Sequence, residues 1–573
     1  MQKSESLYQL LLKRKTIIFI ILGVFAILIG IIIKFFLLAS NTQKEYFPYE
    51  HSIIFQNQLD RAHPAKMIDG KVFVPLDFVK ESIDSTVTYD QSTQSVIVTM
   101  PRSVYQLPSE KLNYFMNEKK YKLDFPAIKG GGQTTWVAAE WIASVYPVKV
   151  TYQSSTGAVF LYKNGYKKQQ AAVKADAKDK WTKLREKSSR TSPYYTKLQP
   201  SDKLFLMGKV GAYYKVRTAE GYGGYLPEQV VLKQNTKTVE TKTKITKAPE
   251  VNQPSLPFQV VWDGIYVAEA NPKMVDQLAG VEVMSPTWFK LKNKEGAIKN
   301  IASKSYVEQA HKNGDKVWAL FSNDFDPDMT AQVLPSFEKR QSMIRQLIKF
   351  ADIYEIDGIN IDFENVYEKN GDDFTQFVRE LVSYAHSAGL TVTVNVTFES
   401  GSGQWSKFFD RKELAKTADF LMVMAYDEHW ANAPQAGSVA SLPWVENHLK
   451  STLQKVPADK LLLGVPMYTR LWKEEKQENG ETKVSSESKT MKEAKQWMNK
   501  HHLKPKVDQS SGQHYVELKK ENKVYRMWLE DGFSLKKRIS LVGKYNLAGV
   551  SAWSRHFAEP SIWKEIEKDL NRK

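Results

Sequence analysis

Eight short apolar runs, separated by intervals long enough for a helix, divide residues 256–573 into a regular series. The runs are predominantly apolar, most of them with β-branched or aromatic residues, and together they cover 258–262, 281–285, 316–322, 358–363, 391–398, 420–426, 461–466 and 547–553. Strands that alternate with helices favour a parallel sheet with helical crossovers. Eight such units predict an α/β fold, a closed (β/α)8 TIM barrel, which typically needs about 250 residues. The remaining length fits a polar insertion at 473–528, between strands seven and eight, which we interpret as a small α+β subdomain forming one wall of a cleft.

A column of polar residues on the fourth predicted strand indicates where chemistry is expected. The segment 357–364 reads Asp-Gly-Ile-Asn-Ile-Asp-Phe-Glu, and side chains alternate between the two faces of a strand. Asn360, Asp362 and Glu364 therefore point into the barrel, with Glu364 at the carboxyl-terminal mouth, where active sites of this fold lie. Buried polar groups are costly unless they hydrogen-bond to one another. We therefore interpret the column as functional rather than structural.

The sixth predicted strand ends with further polar groups at the same mouth. It reads Met-Ala-Tyr-Asp over 424–427, and the alternation turns Met424 and Tyr426 inward just before Asp427. The two motifs, Asp-Gly-x-x-x-Asp-x-Glu and Met-x-Tyr-Asp, resemble those of glycoside hydrolase family 18, and the resemblance extends over about residues 256–573. The segments Asn-Ile-Asp-Phe-Glu and Gly-Val-Pro-Met-Tyr-Thr-Arg-Leu-Trp are most similar to the bacterial branch of spore and cell-wall hydrolases.

Three positions depart from the pattern of the family's chitinases. Asn360 stands where many chitinases have an aspartate that shares protons with Asp362, and Phe363 replaces a tryptophan. On strand three, Phe-Ser-Asn-Asp at 321–324 stands where a Ser-x-Gly-Gly motif is expected. The asparagine leaves the general acid in place but removes a charge beneath it, so the pH dependence of the reaction is expected to differ.

The resemblance implies a role for each polar residue at the mouth. Glu364 is implied as the general acid, because a glycosidic oxygen must be protonated as its bond breaks. In this family the acetamido group of the substrate is the nucleophile, so Asp362 is implied to orient and stabilise that group and Tyr426 to donate a hydrogen bond to it. Further implied substrate contacts are Asn360 and Met424 beneath the mouth, Asp427 at the cleavage subsite, Trp553 as a stacking floor, and Tyr468 and Arg470 at the rim. An ordinary core position remains the alternative for Trp553.

This mechanism requires an N-acetyl group beside the scissile bond and no metal or cofactor. We expect peptidoglycan, cleaved after N-acetylglucosamine, with chitin or chitooligosaccharides as the alternative substrate. Family members that lack the acid are lectins, so a non-catalytic glycan-binding wall protein is a second alternative, which the presence of Glu364 disfavours. A metal-dependent deacetylase is disfavoured because the ten histidines show no ligand spacing near the carboxylates, and the absence of cysteine excludes thiolate metal sites and disulfides.

An apolar run near the N-terminus predicts the location of the chain. Residues 17–33 contain no polar side chain, and 17–39 spans about 34 Å as a helix, enough to cross the hydrocarbon core of a membrane. Basic residues at 13–15 precede the run, so the positive-inside rule places the tail 1–16 in the cytoplasm and everything after Ser40 outside. We interpret the run as an uncleaved, single-pass signal anchor in the cell membrane, with a cleaved signal peptide as the alternative. This location also argues against nucleic acid as a partner.

The segment after the predicted anchor contains an internal duplication. A gapless match at an offset of 63 residues aligns Val-Pro-Leu-Asp-Phe-Val from Val74 with Val-Ala-Ala-Glu-Trp-Ile from Val137. Each copy predicts a short helix followed by two strands, so residues 50–163 form a duplicated α+β domain that resembles the N-terminal domain of copper amine oxidases. Neither copy contains a histidine cluster that suggests a metal site, so we interpret the domain as an adhesion or spacer module.

Positive charge is concentrated between the duplicated domain and the barrel. Of the net charge of +17, residues 161–250 contribute +12, from 20 Lys+Arg and 8 Asp+Glu. Within this stretch, 164–180 is predicted as a linker and 181–233 as a small β domain whose Gly-Tyr-Gly-Gly-Tyr-Leu-Pro segment resembles bacterial SH3-like domains. A Lys/Thr/Pro linker over 234–255 follows. Anionic wall polymers are expected partners for this charge, and a linker that its lysines merely keep solvated is the alternative.

Overall fold

The computed structural model describes residues 2–32, 39–273 and 275–570. Contacts divide these residues into two units: the first holds those up to Ser85 with 109–112 and 123–245, and the second holds 86–108, 113–122 and those from Thr246 on. The helices are α1 (Gln2–Ile32), α2 (Leu76–Ser82), α3 (Ala139–Val145), α4 (Lys304–Asn313), α5 (Pro327–Val333), α6 (Phe337–Tyr354), α7 (Gly371–Ser387), α8 (Arg411–Thr417), α9 (Leu442–Thr452), α10 (Met491–Lys500), α11 (Gly532–Tyr545) and α12 (Ile562–Leu570).

Twenty strands of the described residues precede the barrel. They are β1 (Ser52–Phe55), β2 (Gln58–Pro64), β3 (Lys66–Ile68), β4 (Lys71–Pro75), β5 (Thr88–Asp90), β6 (Ser95–Met100), β7 (Ser103–Pro108), β8 (Asn113–Met116), β9 (Lys119–Lys122), β10 (Ile128–Lys129), β11 (Trp136–Ala138), β12 (Val148–Gln153), β13 (Ala158–Lys163), β14 (Lys167–Val173), β15 (Lys183–Arg185), β16 (Tyr194–Lys197), β17 (Lys203–Val210), β18 (Tyr213–Thr218), β19 (Gly223–Pro227) and β20 (Val231–Thr238). The strands that belong to the first unit form three sheets, with the strand orders β12-β13-β1-β2, β10-β11-β4-β3 and β16-β15-β19-β18-β17-β14-β20.

The predicted duplication is visible in the pairing of the first unit. Val74 on β4 and Val137 on β11, which are equivalent in the two copies, are antiparallel partners of one another. The copies nevertheless place their two-stranded hairpins in different sheets: β12 and β13 join β1 and β2, whereas β5 and β6 join β7, β8 and β9. The sheet of β5 to β9 belongs to the second unit. The segment predicted as one domain over 50–163 is therefore divided between the two units.

The seven-stranded sheet includes residues that composition assigned to linkers. β14 lies within 164–180, and β20 extends to Thr238, beyond the start of the predicted linker at 234. The reason is that Ala171 and Val173 are buried in the core of this sheet although the surrounding sequence is rich in lysine and glutamine. The prediction of a linker over 164–180 is therefore corrected at β14.

The second unit contains the barrel. Its strands are β21 (Phe258–Asp263), β22 (Val283–Pro286), β25 (Lys316–Ser322), β26 (Gly358–Asp362), β27 (Thr391–Thr397), β28 (Phe420–Met424), β29 (Leu461–Pro466) and β35 (Gly549–Trp553), with β23 (Phe289–Leu291) and β24 (Ile298–Asn300) as an appended hairpin. All eight barrel strands are parallel, and the β22–β25 and β21–β35 pairings close the ring. The predicted eight-stranded parallel barrel is thus confirmed.

Two hydrophobic layers hold the barrel together. The lumen is filled from one end by a cluster that includes Phe258, Trp318, Phe420 and Met422, and a larger cluster packs the outer face of the strands against the helices. Burial of apolar surface of this kind stabilises a fold by roughly 25 cal/mol per Å². Because the apolar cluster fills one end of the lumen, polar side chains concentrate at the other end, where the strands terminate.

The insertion between the seventh and eighth barrel strands is an antiparallel sheet with one helix. Its strands are β30 (Thr469–Lys476), β31 (Thr482–Lys489), β32 (Lys506–Asp508), β33 (Gln513–Lys520) and β34 (Lys523–Leu529), in the order β31-β30-β34-β33-β32. Helix α10 begins with a reciprocal cap between Thr490 and Glu493, which satisfies main-chain groups at its first turn. A buried cluster that includes Met498, Val516 and Met527 packs the helix on the sheet.

Helix α1 covers part of the predicted anchor. Its large apolar side chains between Ile17 and Ile29 are 43–75% exposed. Within the part of the chain that the structure describes, no helix combines the length and the apolarity that crossing a membrane requires. The predicted span over 17–39 runs into residues 33–38, which lie outside the described residues.

Candidate active site

A cavity of about 350 Å³ opens where the barrel strands end. Its walls combine carboxyl groups with aromatic rings. The lining residues are Trp262, Tyr266, Thr287, Phe289, Lys290, Leu320, Ser322, Phe325, Asp362, Glu364, Asn395, Trp405, Met424, Tyr426, Asp427 and Trp553. The cavity therefore brings together six of the nine residues that the sequence predicts for the site.

Asn360 lies one layer below the cavity and is completely buried. Its Oδ1 accepts hydrogen bonds from Trp262 Nε1 at 2.9 Å and Ser285 Oγ at 3.3 Å, and its Nδ2 donates to Thr393 Oγ1 and Asn395 Oδ1, both at 2.9 Å. Every hydrogen-bonding group of the amide is therefore satisfied, which removes the cost of burying it. Asn360 supports the residues above it and does not line the cavity.

Asp362 ends strand β26 and is joined to the buried column from the side. Asn395 Nδ2 donates to Asp362 Oδ1 at 2.8 Å. Burial raises the pKa of Asp362 to about 6, although the hydrogen bond from Asn395 favours the charged form. The carboxyl is therefore mostly ionised at neutral pH and takes up a proton just below it.

Glu364 lies two residues beyond the end of β26, whereas the predicted alternation of the strand extended as far as Glu364. Burial, together with the nearby negative charges of Asp362 and Asp427, raises the pKa of Glu364 well above its usual range. This environment favours the protonated form of the carboxyl. A proton-carrying carboxyl beside an ionised one can protonate a leaving group while its neighbour stabilises positive charge.

Tyr426 and Met424 face the same space from strand β28. Met424 is the last residue of the strand, and Tyr426 follows two residues later. Burial raises the pKa of the Tyr426 phenol well above its usual range, so the hydroxyl remains a hydrogen-bond donor. Trp553, the last residue of β35, closes the floor, and its ring packs edge-on against Trp262 at 6.1 Å.

Asp427, at the rim, is held by two residues from the insertion side. Tyr468 Oη donates to Asp427 Oδ1 at 2.6 Å, and Arg470 Nη2 donates to the same oxygen at 3.3 Å. Burial and the charge of Asp427 raise the pKa of Tyr468, so this donor keeps its proton. Asp427 adopts a left-handed backbone conformation with φ +60°, which turns its carboxylate toward these donors. Tyr468 and Arg470, predicted as rim contacts with substrate, thus orient a cavity residue and do not themselves line the cavity.

Several residues of the site are not anticipated by the strand motifs. Asn395 had a usable signal, because Thr-Val-Thr-Val-Asn-Val-Thr on β27 alternates polar and apolar residues. Tyr266, Phe325 and Trp405 had no such signal, because they lie outside the strands, Tyr266 and Phe325 in loops and Trp405 in the short helical turn Gly403–Lys407. All three rings line the cavity and are 43–56% exposed, and Phe325 and Trp405 are in contact with ring centroids 6.3 Å apart. Among the described residues, no group of three or more histidine or carboxylate side chains is arranged to hold a metal ion.

Comparison with family models gives two matches. The model of glycosyl hydrolases family 18 matches residues 286–558, and the model of the copper amine oxidase N-terminal domain matches residues 54–161. Both agree with the resemblances found in the sequence. The resemblance of residues 181–233 to SH3-like domains stays a prediction.

Similar proteins are found among Bacillus glycosylases. The chain is 30% identical to the uncharacterized glycosylase YvbX of Bacillus subtilis over 289 residues, which are 48% of this chain and 81% of that protein. It is 23% identical to the cortical fragment-lytic enzyme of Bacillus anthracis over 44% of this chain, and the match spans 58% of that enzyme's length. Among solved structures, the C-terminal domain of a chitinase candidate from Desulfitobacterium hafniense aligns with a TM-score of 0.50 and 22% identity, covering 56% of this chain and 99% of that domain. The last comparison supports the fold alone.

Proposed function

Because the chain belongs to glycosyl hydrolase family 18, we propose that it cleaves the β-1,4 bonds that follow N-acetylglucosamine in peptidoglycan. The chain is a glycoside hydrolase, and an N-acetylated glycan such as peptidoglycan or chitin is the substrate class that its family suggests. The particular bond, the mechanism and the cellular location are the proposal.

Glu364 acts as the general acid in the proposed reaction and protonates the glycosidic oxygen as the bond breaks. The observation that carries this assignment is the different environment of two neighbouring carboxyls. A hydrogen bond from Asn395 favours the ionised form of Asp362, whose pKa is about 6, whereas burial and the carboxylates of Asp362 and Asp427 raise the pKa of Glu364 well above its usual range. Carboxyls whose environments separate their pKa values are suited to different roles in one reaction.

The nucleophile is the acetamido oxygen of the substrate, which attacks the anomeric carbon and gives an oxazolinium with retained configuration after hydrolysis. Asp362 accepts a hydrogen bond from the acetamido N–H and offsets the positive charge that develops on the ring. Tyr426 donates its hydroxyl to the acetamido oxygen and sets its direction of attack. Asp427, held by Tyr468 and Arg470, contacts the sugar at the cleavage subsite, which stacks on Trp553.

Two observations favour peptidoglycan over chitin as the substrate: the descriptions of the similar Bacillus proteins, and the predicted position of the catalytic unit outside the cell membrane. The similar Bacillus anthracis protein is described as a cortical fragment-lytic enzyme, and its alignment with this chain extends over 254 residues. Cleavage beside N-acetylglucosamine satisfies the need for an acetamido nucleophile in peptidoglycan. Chitooligosaccharides satisfy the same need and are therefore the comparison substrate.

Digestion of purified peptidoglycan, followed by reduction and mass spectrometry, tests the assignment. The proposal predicts fragments whose reduced end is N-acetylglucosamine, released by residues 41–573. Fragments ending in reduced N-acetylmuramic acid would contradict it, because they require cleavage of the other glycosidic bond. Cleavage of chitooligosaccharides without any product from peptidoglycan would support the chitinase alternative.

We also propose that residues 17–39 anchor the enzyme in the cell membrane, with the catalytic unit outside. The exposed apolar side chains of α1 between Ile17 and Ile29, and the basic residues at 13–15, support this proposal. Carbonate extraction of membranes that contain the full chain should leave it in the pellet, whereas a chain that begins at Asn41 should be released. Release of the full chain, or protection of its barrel from protease added to intact spheroplasts, would contradict the proposal.

A further inference from the structure

We propose that Asn323 is a positioning residue that fixes the main chain of Glu364 and thereby the direction in which its carboxyl faces the cavity. This inference rests on the proposed role of Glu364 as the acid. Asn323 follows strand β25 directly and is completely buried. It belongs to the Phe-Ser-Asn-Asp segment at 321–324, which differs from the motif expected on the third strand.

Glu364 needs such support because it lies outside the sheet. The pairing of β25 with β26 ends at Ser322 and Asp362, so the hydrogen-bond ladder of the barrel stops two residues before Glu364. Asn323 Oδ1 accepts from Glu364 N at 3.0 Å, and Asn323 Nδ2 donates to Glu364 O at 2.8 Å. One side-chain amide thus binds both main-chain groups of the proposed acid, as a neighbouring strand would.

Asn323 is itself held in one orientation. Its Nδ2 also donates to Thr330 Oγ1 on α5 at 3.0 Å, and Thr330 Oγ1 donates to Asp326 O at 2.5 Å. Both hydrogens of the amide nitrogen and its oxygen are therefore in use, which determines which way the amide points. An aspartate at this position has no donor and repels the carbonyl oxygen of Glu364.

A second hydrogen bond joins the same two loops. Asn365 Nδ2 donates to Phe325 O at 2.9 Å, and Asp324, Phe325 and Asn365 all adopt left-handed conformations, with φ between +53° and +59°. Left-handed conformations are uncommon for residues other than glycine and persist where surrounding contacts hold them. The loop that carries Phe325 into the cavity and the loop that carries Glu364 are consequently one connected structure.

The test compares the Asn323→Ala and Asn323→Asp variants with a matched asparagine elsewhere in the barrel unit. Asn300 suits this purpose, because it donates to Tyr354 Oη at 3.2 Å and accepts from Ala302 N at 2.8 Å. Misplacing a catalytic group by about 1 Å costs up to about 100-fold in rate, so both Asn323 variants should lower kcat by about 10-fold to 100-fold. KM should stay within about twofold, because the groups that bind the sugar are unchanged. Asn300→Ala should leave both constants unaltered.

Two readouts separate positioning from general destabilisation. Assays run well below the melting temperature of each variant exclude a loss of folded protein. In Asn323→Ala, the alkaline limb of the kcat/KM profile should move to lower pH, because a less confined Glu364 carboxyl is better hydrated. A loss of kcat that disappears when folded protein is counted, or an unchanged kcat, would overturn the inference.

A milder variant serves if the Asn323 changes prevent folding. Thr330→Val removes only the hydroxyl that orients the amide, and it should lower kcat by about twofold to fivefold through the same displacement. An unchanged kcat in Thr330→Val would then count against the inference. The proposed function is tested separately. If Glu364→Gln keeps wild-type activity, Glu364 is not the acid. If Glu364→Gln is inactive but the Asn323 variants are fully active, only the positioning role of Asn323 is refuted.

Discussion

Asn395 donates a 2.8 Å hydrogen bond to Asp362 from the neighbouring strand β27, and both Asn395 and Thr393 of that strand accept hydrogen bonds from the buried Asn360. The carboxylate therefore rests on a column of neutral amides and hydroxyls. An aspartate at position 360 would place a second carboxyl in this column. With asparagine there, no proton has to be shared beneath Asp362, and the acidity of Asp362 depends on its burial and on the single amide of Asn395.

Removing that amide should move the acidic limb of the pH profile. The hydrogen bond from Asn395 favours the ionised form of Asp362, so its loss in Asn395→Ala raises the pKa of Asp362 further above about 6. Since ionised Asp362 is the active form, the kcat/KM profile should begin to fall at higher pH in the variant than in wild type. Initial rates measured between pH 4 and 9 test this, and a shift of the acidic limb to lower pH would contradict it.

Trp405 is expected to bind sugar rather than to take part in bond cleavage. Its ring lines the cavity, contacts Phe325 and is 43% exposed. Loss of one aromatic stacking contact costs about 0.5–1.5 kcal/mol, so Trp405→Ala should raise KM by about twofold to tenfold with little change in kcat. Ile353→Ala, at an equally exposed apolar residue on α6, is the control and should leave KM unchanged. A fall in kcat alone would be inconsistent with a binding role for Trp405.

Asp90 links the sheet of β5 to β9 with the barrel, within the second unit. Its Oδ1 accepts from Phe337 N at 2.8 Å at the start of α6, where the capping residue Ser336 makes no side-chain cap of its own. The sheet also packs Ile97 and Val104 against Phe337. Replacing a helix cap costs about 0.5–2 kcal/mol, so Asp90→Ala should lower the free energy of unfolding of the barrel by that amount. Denaturant unfolding followed by tryptophan fluorescence tests this, and Asp77→Ala on α2 is the control. An unchanged barrel transition would show that the contact does not contribute to stability.

We expect the buried carboxyl of Asp315 to destabilise the protein at neutral pH. Its carboxyl is buried just after the C-terminal end of α4, and its Oδ2 has no hydrogen-bond partner among the residues that the structure describes. Burial raises its pKa to about 6 from an ordinary value near 3.8. The folded state binds the proton of Asp315 more tightly than the unfolded state does. The contribution of this carboxyl to the free energy of unfolding is therefore fully present at low pH and is lost as the pH rises from about 4 through 6. Asp315→Asn should therefore raise the free energy of unfolding by about 1–3 kcal/mol at pH 7.5 and change it little at pH 4. Equal effects at both values would contradict the argument.

The barrel and its polar column could be predicted because both follow from periodicity. Strands separated by helices repeat eight times, and alternation along 358–364 puts Asn360, Asp362 and Glu364 on one face whatever their neighbours are. The contacts of Tyr468 and Arg470 with Asp427 could not be predicted, because they depend on a left-handed turn and on the path of a loop.

The hairpin of β5 and β6 shows a different limit of sequence reasoning. Its similarity to β12 and β13 correctly predicts the same local structure in both copies. Local similarity contains no information about the sheet that each hairpin joins, because pairing is decided by distant residues. The same limit applies to Asn323, whose importance is apparent only when the two loops after β25 and β26 lie side by side.

The central claim is that Glu364 is the general acid, and replacing Glu364 by glutamine tests it most directly. Glu364→Gln keeps the shape of the side chain but removes the acid, and general acid catalysis typically contributes about 100-fold to 10,000-fold in rate. Peptidoglycan digested by residues 41–573 should yield fragments with reducible N-acetylglucosamine ends, Glu368→Gln should yield the same fragments at the wild-type rate, and Glu364→Gln should yield them more slowly by that factor. Wild-type rates from Glu364→Gln would show that another group protonates the glycosidic oxygen.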